Sequence, residues 1–263
     1  MSGPGIGDLP DGDQPIGAAP PELLAELAIA NRILFQQGVV DGFGHVSVRH
    51  PRHPDHLLLA RSMAPALVTP DDNLTFGPDG EPRDAAGRAV YLERFIHSEI
   101  YRARPNVMAV VHSHSPSVVP FSVVRGEKLR AICHMSGFLG AGTPVFEIRH
   151  VAGDASDMLI RDRRLGAALA AVLGEHAVVL MRGHGNTVVG SGLRQAVFRA
   201  VYTEVNARLQ SEALRLGEVT YLSEGEAAAT SATNDAQIDR AWRLWRMMAE
   251  VGPVGVAHTG RVD

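Results

Sequence analysis

His112 and His114 stand two residues apart at the end of an apolar run, Val107-Met108-Ala109-Val110-Val111-His112-Ser113-His114. In an extended strand residues i and i+2 point to the same side, so two imidazoles leave the strand end together. Such a pair can offer two nitrogen donors to one divalent ion. It could equally be two hydrogen-bonded histidines at a strand end. His184 follows another apolar run, Val178 to Met181, and is flanked by Gly183 and Gly185. Glycine on both sides permits close backbone approach and unusual dihedral angles, although an ordinary turn histidine would look the same. Glu93 is the carboxylate of the set. At helical spacing it shares a face with Ile96, His97 and Ile100,. A carboxylate on a partly apolar face needs a partner, which a cation or an arginine such as Arg94 would supply. His97 is a rival ligand, or a group that supports the ligands from behind.

The composition fits this chemistry and argues against others. The chain of 263 residues has 12 histidines and one cysteine, Cys133. An internal disulfide and a cysteine-rich metal site are therefore excluded, and any metal would be held by imidazole and carboxylate. Lys and Arg total 25 against 29 Asp and Glu, a net charge of −4 with no basic run. That argues against a nucleic-acid partner. No apolar run reaches the roughly 20 residues of a membrane span. The N-terminus lacks the basic segment and apolar core of a secretory signal, so a cytoplasmic location is expected. There is neither a G-x-G-x-x-G motif nor a P-loop, so nucleotide binding has no motif support.

Around these residues the pattern gives the elements that would position them. Residues 1–20 hold five glycines and four prolines with no Lys or Arg, and read as a disordered tail. Residues 252–263 read as a flexible C-terminal tail, which leaves one domain over 21–251. Apolar spacing predicts a helix over 21–37. A Gly-rich turn at 41–44 enters a strand with alternating Val46 and Val48. A strand at 56–60 follows, then a loop-rich stretch at 69–88. Helices are expected at about 90–104, 116–124, 161–173, 192–216 and 235–250. Strands are expected at 107–114, 131–134 and 176–181, and a loop of small polar residues at 223–234. Strands alternating with helices imply an α/β or α+β class, with one sheet between helical layers.

These segments resemble the class II aldolase/adducin family. The resemblance rests on Gly44-His45-Val46-Ser47-Val48-Arg49, on Glu93 followed 19 residues later by His112-Ser113-His114, and on Gly183-His184-Gly185. It covers about residues 23–216. It implies an α/β single-domain, three-layer fold: a central, mostly antiparallel sheet flanked by helices. It also implies a homotetramer with sites at subunit interfaces. The divalent ion, zinc first with manganese, iron or cobalt as alternatives, would be held by His112, His114 and His184. Glu93 would serve as acid and base.

Departures from the sugar-phosphate aldolases redirect the substrate. Those enzymes carry Asn where this chain has His45, two phosphate-binding serines where it has Tyr91 and Leu92, and a tyrosine where Met135 follows His134. The strings Asp41 to Ser47 and Arg61-Ser62-Met63-Ala64-Pro65 instead resemble decarboxylase-type members. The expectation is a metal-dependent lyase that cleaves a carbon–carbon bond of a non-phosphorylated hydroxy- or oxo-carboxylate, aromatic ones included, through a metal-stabilised enolate. His45, Ser47 and Arg61 would bind substrate, Arg61 by bidentate pairing with a carboxylate; a structural arginine is the competing reading. A proton would return from Glu93, His134 or water. Rival readings are a non-haem iron oxygenase, a sugar-phosphate aldolase or epimerase and, last, a non-catalytic interaction domain.

Overall fold

Val46 and Val48 alternate with Ser47, and this period of two decides which side of the sheet each residue serves. The computed structural model describes residues 17–251; residues 1–16 of the expected 1–20 tail, and the expected tail at 252–263, lie outside them. Gly17–Pro20 lead without helix or strand into α1 (Pro21–Gln36). Then come β1 (His45–Arg49), β2 (Leu57–Ala60), β3 (Asn73–Phe76), α2 (Arg94–Ala103), β4 (Ala109–Ser113) and α3 (Val119–Val123). After these follow β5 (Val145–Phe146), α4 (Arg149–Ala152), α5 (Arg163–Leu173), β6 (Val178–Met181), β7 (Gly185–Gly190), α6 (Leu193–Leu216), α7 (Glu224–Asp235) and α8 (Ile238–Val251). Among the described residues one sheet has the order β3-β2-β1-β4-β7-β6-β5. Every pairing is antiparallel except that of the edge strand β5 with β6.

Two cores sandwich this sheet. Val46, Val48, Ala109, Val111 and Val188 face one side and pack against α1, α6 and α8, including Trp242 and Trp245. Leu57, Leu59, Val110, Val179 and Val189 face the other and pack against α2 and α5. The expected three-layer α/β architecture is therefore the one observed. The same alternation puts His45, Ser47 and His112 on the α2 side, because each is an even step from Val110 or its cross-strand partner Ser47. No described helix is long and apolar enough to cross a membrane.

The structure departs from expectation where side chains override local composition. The expected loop at 223–234 is α7. Its start is fixed by a capping box in which the Ser223 hydroxyl accepts from the Glu226 backbone and the Glu226 carboxylate accepts from the Ser223 N–H,. The expected strand at 131–134 has no strand neighbour. Side chains of α6 satisfy the adjoining backbone instead: Asn206 accepts from the Ile132 N–H and donates to the Arg130 carbonyl. Gln210 accepts from the Arg130 N–H. Strand β3 arises within the stretch at 69–88 that reads as loop-rich. Helix α2 begins at Arg94, so Glu93 sits at its N-cap rather than inside the helix.

Candidate metal centre and active site

The centre is assembled by the ladder and one hairpin. His112 is the penultimate residue of β4, on the α2 face, and His114 lies just past the strand end. His184 sits in the turn between β6 and β7. Gly183 adopts φ +65°, a left-handed conformation that glycine accepts without strain,. At Gly185 a Cβ would lie 2.0 Å from the Ser113 carbonyl oxygen, so only glycine lets β7 approach β4 this closely. The turn is thus pressed against the end of β4, and His114 Nε2 lies 3.0 Å from His184 Nε2.

Glu93 Oε2 is 3.4 Å from the Nε2 atoms of both His112 and His184. All four side chains offer a donor atom within 4.8 Å of the others. The tautomers are set from behind. His112 Nδ1 donates to the Asn186 carbonyl at 3.1 Å, and His184 Nδ1 donates to the Met158 carbonyl at 3.0 Å. Each Nε2 therefore turns a lone pair toward the same point. His112 Nε2 is buried with no hydrogen-bond partner among the described residues. A buried acceptor left bare costs free energy, and convergent imidazole nitrogens beside a carboxylate are the donor set a divalent ion satisfies. The residues fit the ion.

The electrostatics agree. Burial pushes the Glu93 carboxyl up, but the adjacent His112 and His184 outweigh it and hold it well below the usual carboxylate range. Burial, with His112 and His184 adding to it, lowers His114 to about 4. Burial also lowers His184, and there the Glu93 carboxylate more than compensates, leaving a net rise. Glu93 Oε1 accepts from the Ile160 N–H at 3.0 Å, which pins the 154–160 loop over the cluster. Met158 in that loop has φ +67°. A non-glycine residue held there stores strain that its surroundings must offset, and its carbonyl is the one that orients His184.

Beside the cluster lies a cavity of about 430 Å³. Phe43, Met63, Tyr91 and Leu92 form part of its wall with His45, and no Lys or Arg lines it among the described residues. Phe43 and Leu92 are 68% and 54% exposed. The Tyr91 hydroxyl is committed to the Met63 carbonyl at 2.6 Å, and burial pushes it up to about 12.

His45 lines this cavity and faces His112 across the β1–β4 ladder, with ring centroids 5.0 Å apart. Ser47, expected to touch substrate, is fully buried behind it. Its hydroxyl lies 2.7 Å from His97 Nδ1 and 2.8 Å from the Tyr101 hydroxyl. Arg61 pairs with Asp72 at 2.6 Å and does not line the cavity. His134 is exposed on a separate surface, its backbone carbonyl accepting from Asn234. Within one chain the structure brings Glu93, His45, His112, His114 and His184 together, and leaves Ser47, Arg61 and His134 outside the cavity. Sequence reasoning missed Tyr101, the carbonyls of Met158 and Asn186, and the Ile160 N–H. The i, i+4 spacing of His97 and Tyr101 on α2 could have suggested the first; backbone groups leave no signal in residue type.

Comparison with known proteins places the chain in a family. Residues 25–211 match the family model described as class II aldolase and adducin N-terminal domain. The chain is 38% identical over 243 residues to the decarboxylase tropJ of Talaromyces stipitatus, covering 84% of this chain and 91% of that protein. It is 31% identical to a 3,4-dihydroxyphthalate decarboxylase of Arthrobacter keyseri, covering 73% of this chain and 78% of that one. Among solved structures, an L-fuculose 1-phosphate aldolase from Glaciozyma antarctica superposes with a TM-score of 0.66 at 27% identity, over 82% of this chain and 85% of the other. The four-residue cluster at the strand end, the antiparallel sheet that carries it and these relatives converge: the chain belongs to the class II aldolase and adducin family and is a carbon–carbon lyase.

Proposed function

We propose that the protein is a divalent-metal-dependent decarboxylase of a non-phosphorylated hydroxy-carboxylate, with aromatic acids the favoured class. One observation carries this reading: convergent Nε2 lone pairs and the Glu93 carboxylate border a cavity whose wall is apolar and free of Lys and Arg. A phosphate dianion would find no cationic side chain in that wall, whereas a planar ring would be covered by Phe43 and Leu92. The decarboxylase names of the relatives point the same way.

His112, His114 and His184 would hold the ion, zinc before manganese, iron or cobalt. When bound, the ion supplies an electron sink for charge left on the substrate as the bond breaks. His45 hydrogen-bonds the substrate hydroxyl from the β1 side. Heterolysis releases carbon dioxide and leaves the electron pair on the ring or α-carbon, where a proton must replace the carboxyl group. Glu93, held ionised, accepts a proton from the substrate hydroxyl or from water at Oε2 and returns it to that carbon,. Arg61 braces the Ser62–Ala64 wall through Asp72, and Ser47 positions His97 behind His45. In the homo-oligomer that the family resemblance implies, His134 would serve a neighbouring copy's site. We place the enzyme in the cytoplasm.

The test is elemental analysis together with an anaerobic screen of hydroxy-carboxylates, 3,4-dihydroxyphthalate included, for release of carbon dioxide or aldehyde. Metal-dependent carbon dioxide release that disappears in His112→Ala is the expected result. Full turnover in metal-free protein would sink the metal reading. Aldehyde release would favour a retro-aldol lyase, and turnover only with oxygen and Fe(II) would favour an oxygenase.

A further inference from the structure

A second cavity, of about 560 Å³, opens at the other end of the sheet. The metal centre sits where β4 ends and β7 begins. This cavity lies where β4 is entered, at Asn106 and Val107, and where β7 leaves, at Val189 to Ser191. The two are separated by roughly the length of a five-residue strand, about 16 Å. Two arginines from different helices meet in its wall, Arg104 just after α2 and Arg199 on α6.

Neither guanidinium is fully partnered. Arg104 uses Nη1 to hold the carbonyls of Gly174 and His176, at 3.0 and 2.8 Å. Arg199 uses Nη1 to hold the Val189 carbonyl at 3.0 Å. The Nε of each is buried without a hydrogen-bond partner among the described residues. Neither Nη2 makes a hydrogen bond among the described residues. The nearest carboxylates, Glu175 to Arg104 and Asp235 to Arg199, stand off at 3.7 and 3.9 Å. Both acids are more exposed than the cations they face: Glu175 is 91% exposed against 12% for Arg104. The two positive charges also feel each other. Burial lowers the Arg199 pKa, Asp235 opposes that, and Arg104 adds to the lowering.

Half-buried guanidinium groups with open nitrogens are the groups that recognise planar or tetrahedral oxyanions by charge-assisted hydrogen bonds. We propose that this cavity is a binding site for a small oxyanion, carboxylate or phosphate, held between Arg104 Nη2 and Arg199 Nη2. An occupant there ties the end of α2 to α6, and so links the helix that carries Glu93 at its start to the long helix across the sheet. Ser231 and His176 line the same cavity and complete a polar rim.

The experiment is calorimetric titration of the metal-loaded protein with inorganic phosphate and, separately, with citrate. Arginine labelling by phenylglyoxal, mapped by mass spectrometry, accompanies it. The expected result is saturable binding of one anion per chain with a Kd of about 1 mM or tighter, as for two charge-assisted contacts. The anion should protect Arg104 and Arg199 from labelling. Arg199→Gln should weaken binding about tenfold or more, and His112→Ala should leave the protection intact. Phosphate binding with no citrate binding would assign the site to tetrahedral anions, and the reverse to carboxylates. Absence of binding by both, or protection that vanishes in His112→Ala but survives Arg199→Gln, would overturn the proposal, because the anion would then sit at the metal. The labelling arm uses the wild-type chain, so the test stands even where a variant fails to fold.

Discussion

His45 Nδ1 lies 2.7 Å from His97 Nε2, so the histidine facing the cavity is held by a second histidine on α2. The chain of contacts continues from His97 Nδ1 to the Ser47 hydroxyl and from there to Tyr101. Burial, with nearby His112 adding to it, lowers His97 to about 3, so it is neutral across the working range. A neutral imidazole donates at one nitrogen and accepts at the other, which couples the tautomer of His45 to the direction of the row. His97→Phe removes both bonds, leaving His45 Nδ1 buried without its partner and Ser47 with Tyr101 alone. The expected cost is about 1–3 kcal/mol of stability, with turnover down roughly tenfold or more and metal content unchanged. Metal analysis of the purified variant checks this, and loss of the ion in step with activity would show that His97 acts on the centre itself.

The same residue predicts an acid limb of stability. Its unfolded pKa is near 6.5 and its folded pKa is about 3, so the unfolded chain binds more protons between those values. The His97 contribution is complete above about pH 6.5 and is lost as pH falls toward 3, at up to about 1.4 kcal/mol per pH unit. Thermal melts of wild type and His97→Phe at matched metal concentration, from pH 7.5 to 4.5, isolate this one group. The wild-type curve should fall more steeply; parallel curves would mean that other buried histidines carry the acid sensitivity.

The histidine cluster proposed to hold the ion could be read in the sequence because strand periodicity alone aligns His112 with His114, and because the glycines around His184 mark a place of close approach. Both properties are local. What could not be read depends on contacts distant in the chain. Ser47 sits in a motif that suggested substrate contact, yet the alternation of β1 turns it into the sheet interface with α2, toward His97 and Tyr101. Arg61 looked like a carboxylate binder, but Asp72, eleven residues on, reaches it first. The segment at 131–134 has strand composition, and α6 side chains take the place of a strand partner. Met158 acts through its carbonyl, a group every residue possesses.

Two glycines in one turn should respond differently to the same change. At Gly183 an added Cβ meets only Val123, at 3.7 Å, and the penalty is the left-handed backbone. Gly183→Ala should cost about 1 kcal/mol. At Gly185 the Cβ would collide with the Ser113 backbone, and backbone cannot step aside as a side-chain tip can. Gly185→Ala should separate β7 from the end of β4 and cost more than about 3 kcal/mol. His184 and His114 would move apart with the strands. Melting temperature and metal stoichiometry of the two variants should therefore diverge, and equal, mild effects would show that the approach of the two strands is dispensable for the centre.

Glu93 joins two functions that one substitution can separate. Its Oε1 holds the Ile160 N–H, and the loop so held presents the Met158 carbonyl to His184. Its Oε2 carries the charge that faces His112 and His184. A glutamine keeps an oxygen for Ile160 and removes the charge, whereas an alanine removes both. Glu93→Gln should therefore keep the loop ordered and the three histidines aligned, with metal still bound, while turnover falls about 100-fold or more for want of the acid and base. Glu93→Ala should in addition release residues 154–160 and weaken metal binding through His184. Hydrogen exchange across that loop, measured with metal stoichiometry and kcat, distinguishes the two variants. Near-wild-type turnover in Glu93→Gln would remove Glu93 from the chemistry and leave it only the task of holding the loop.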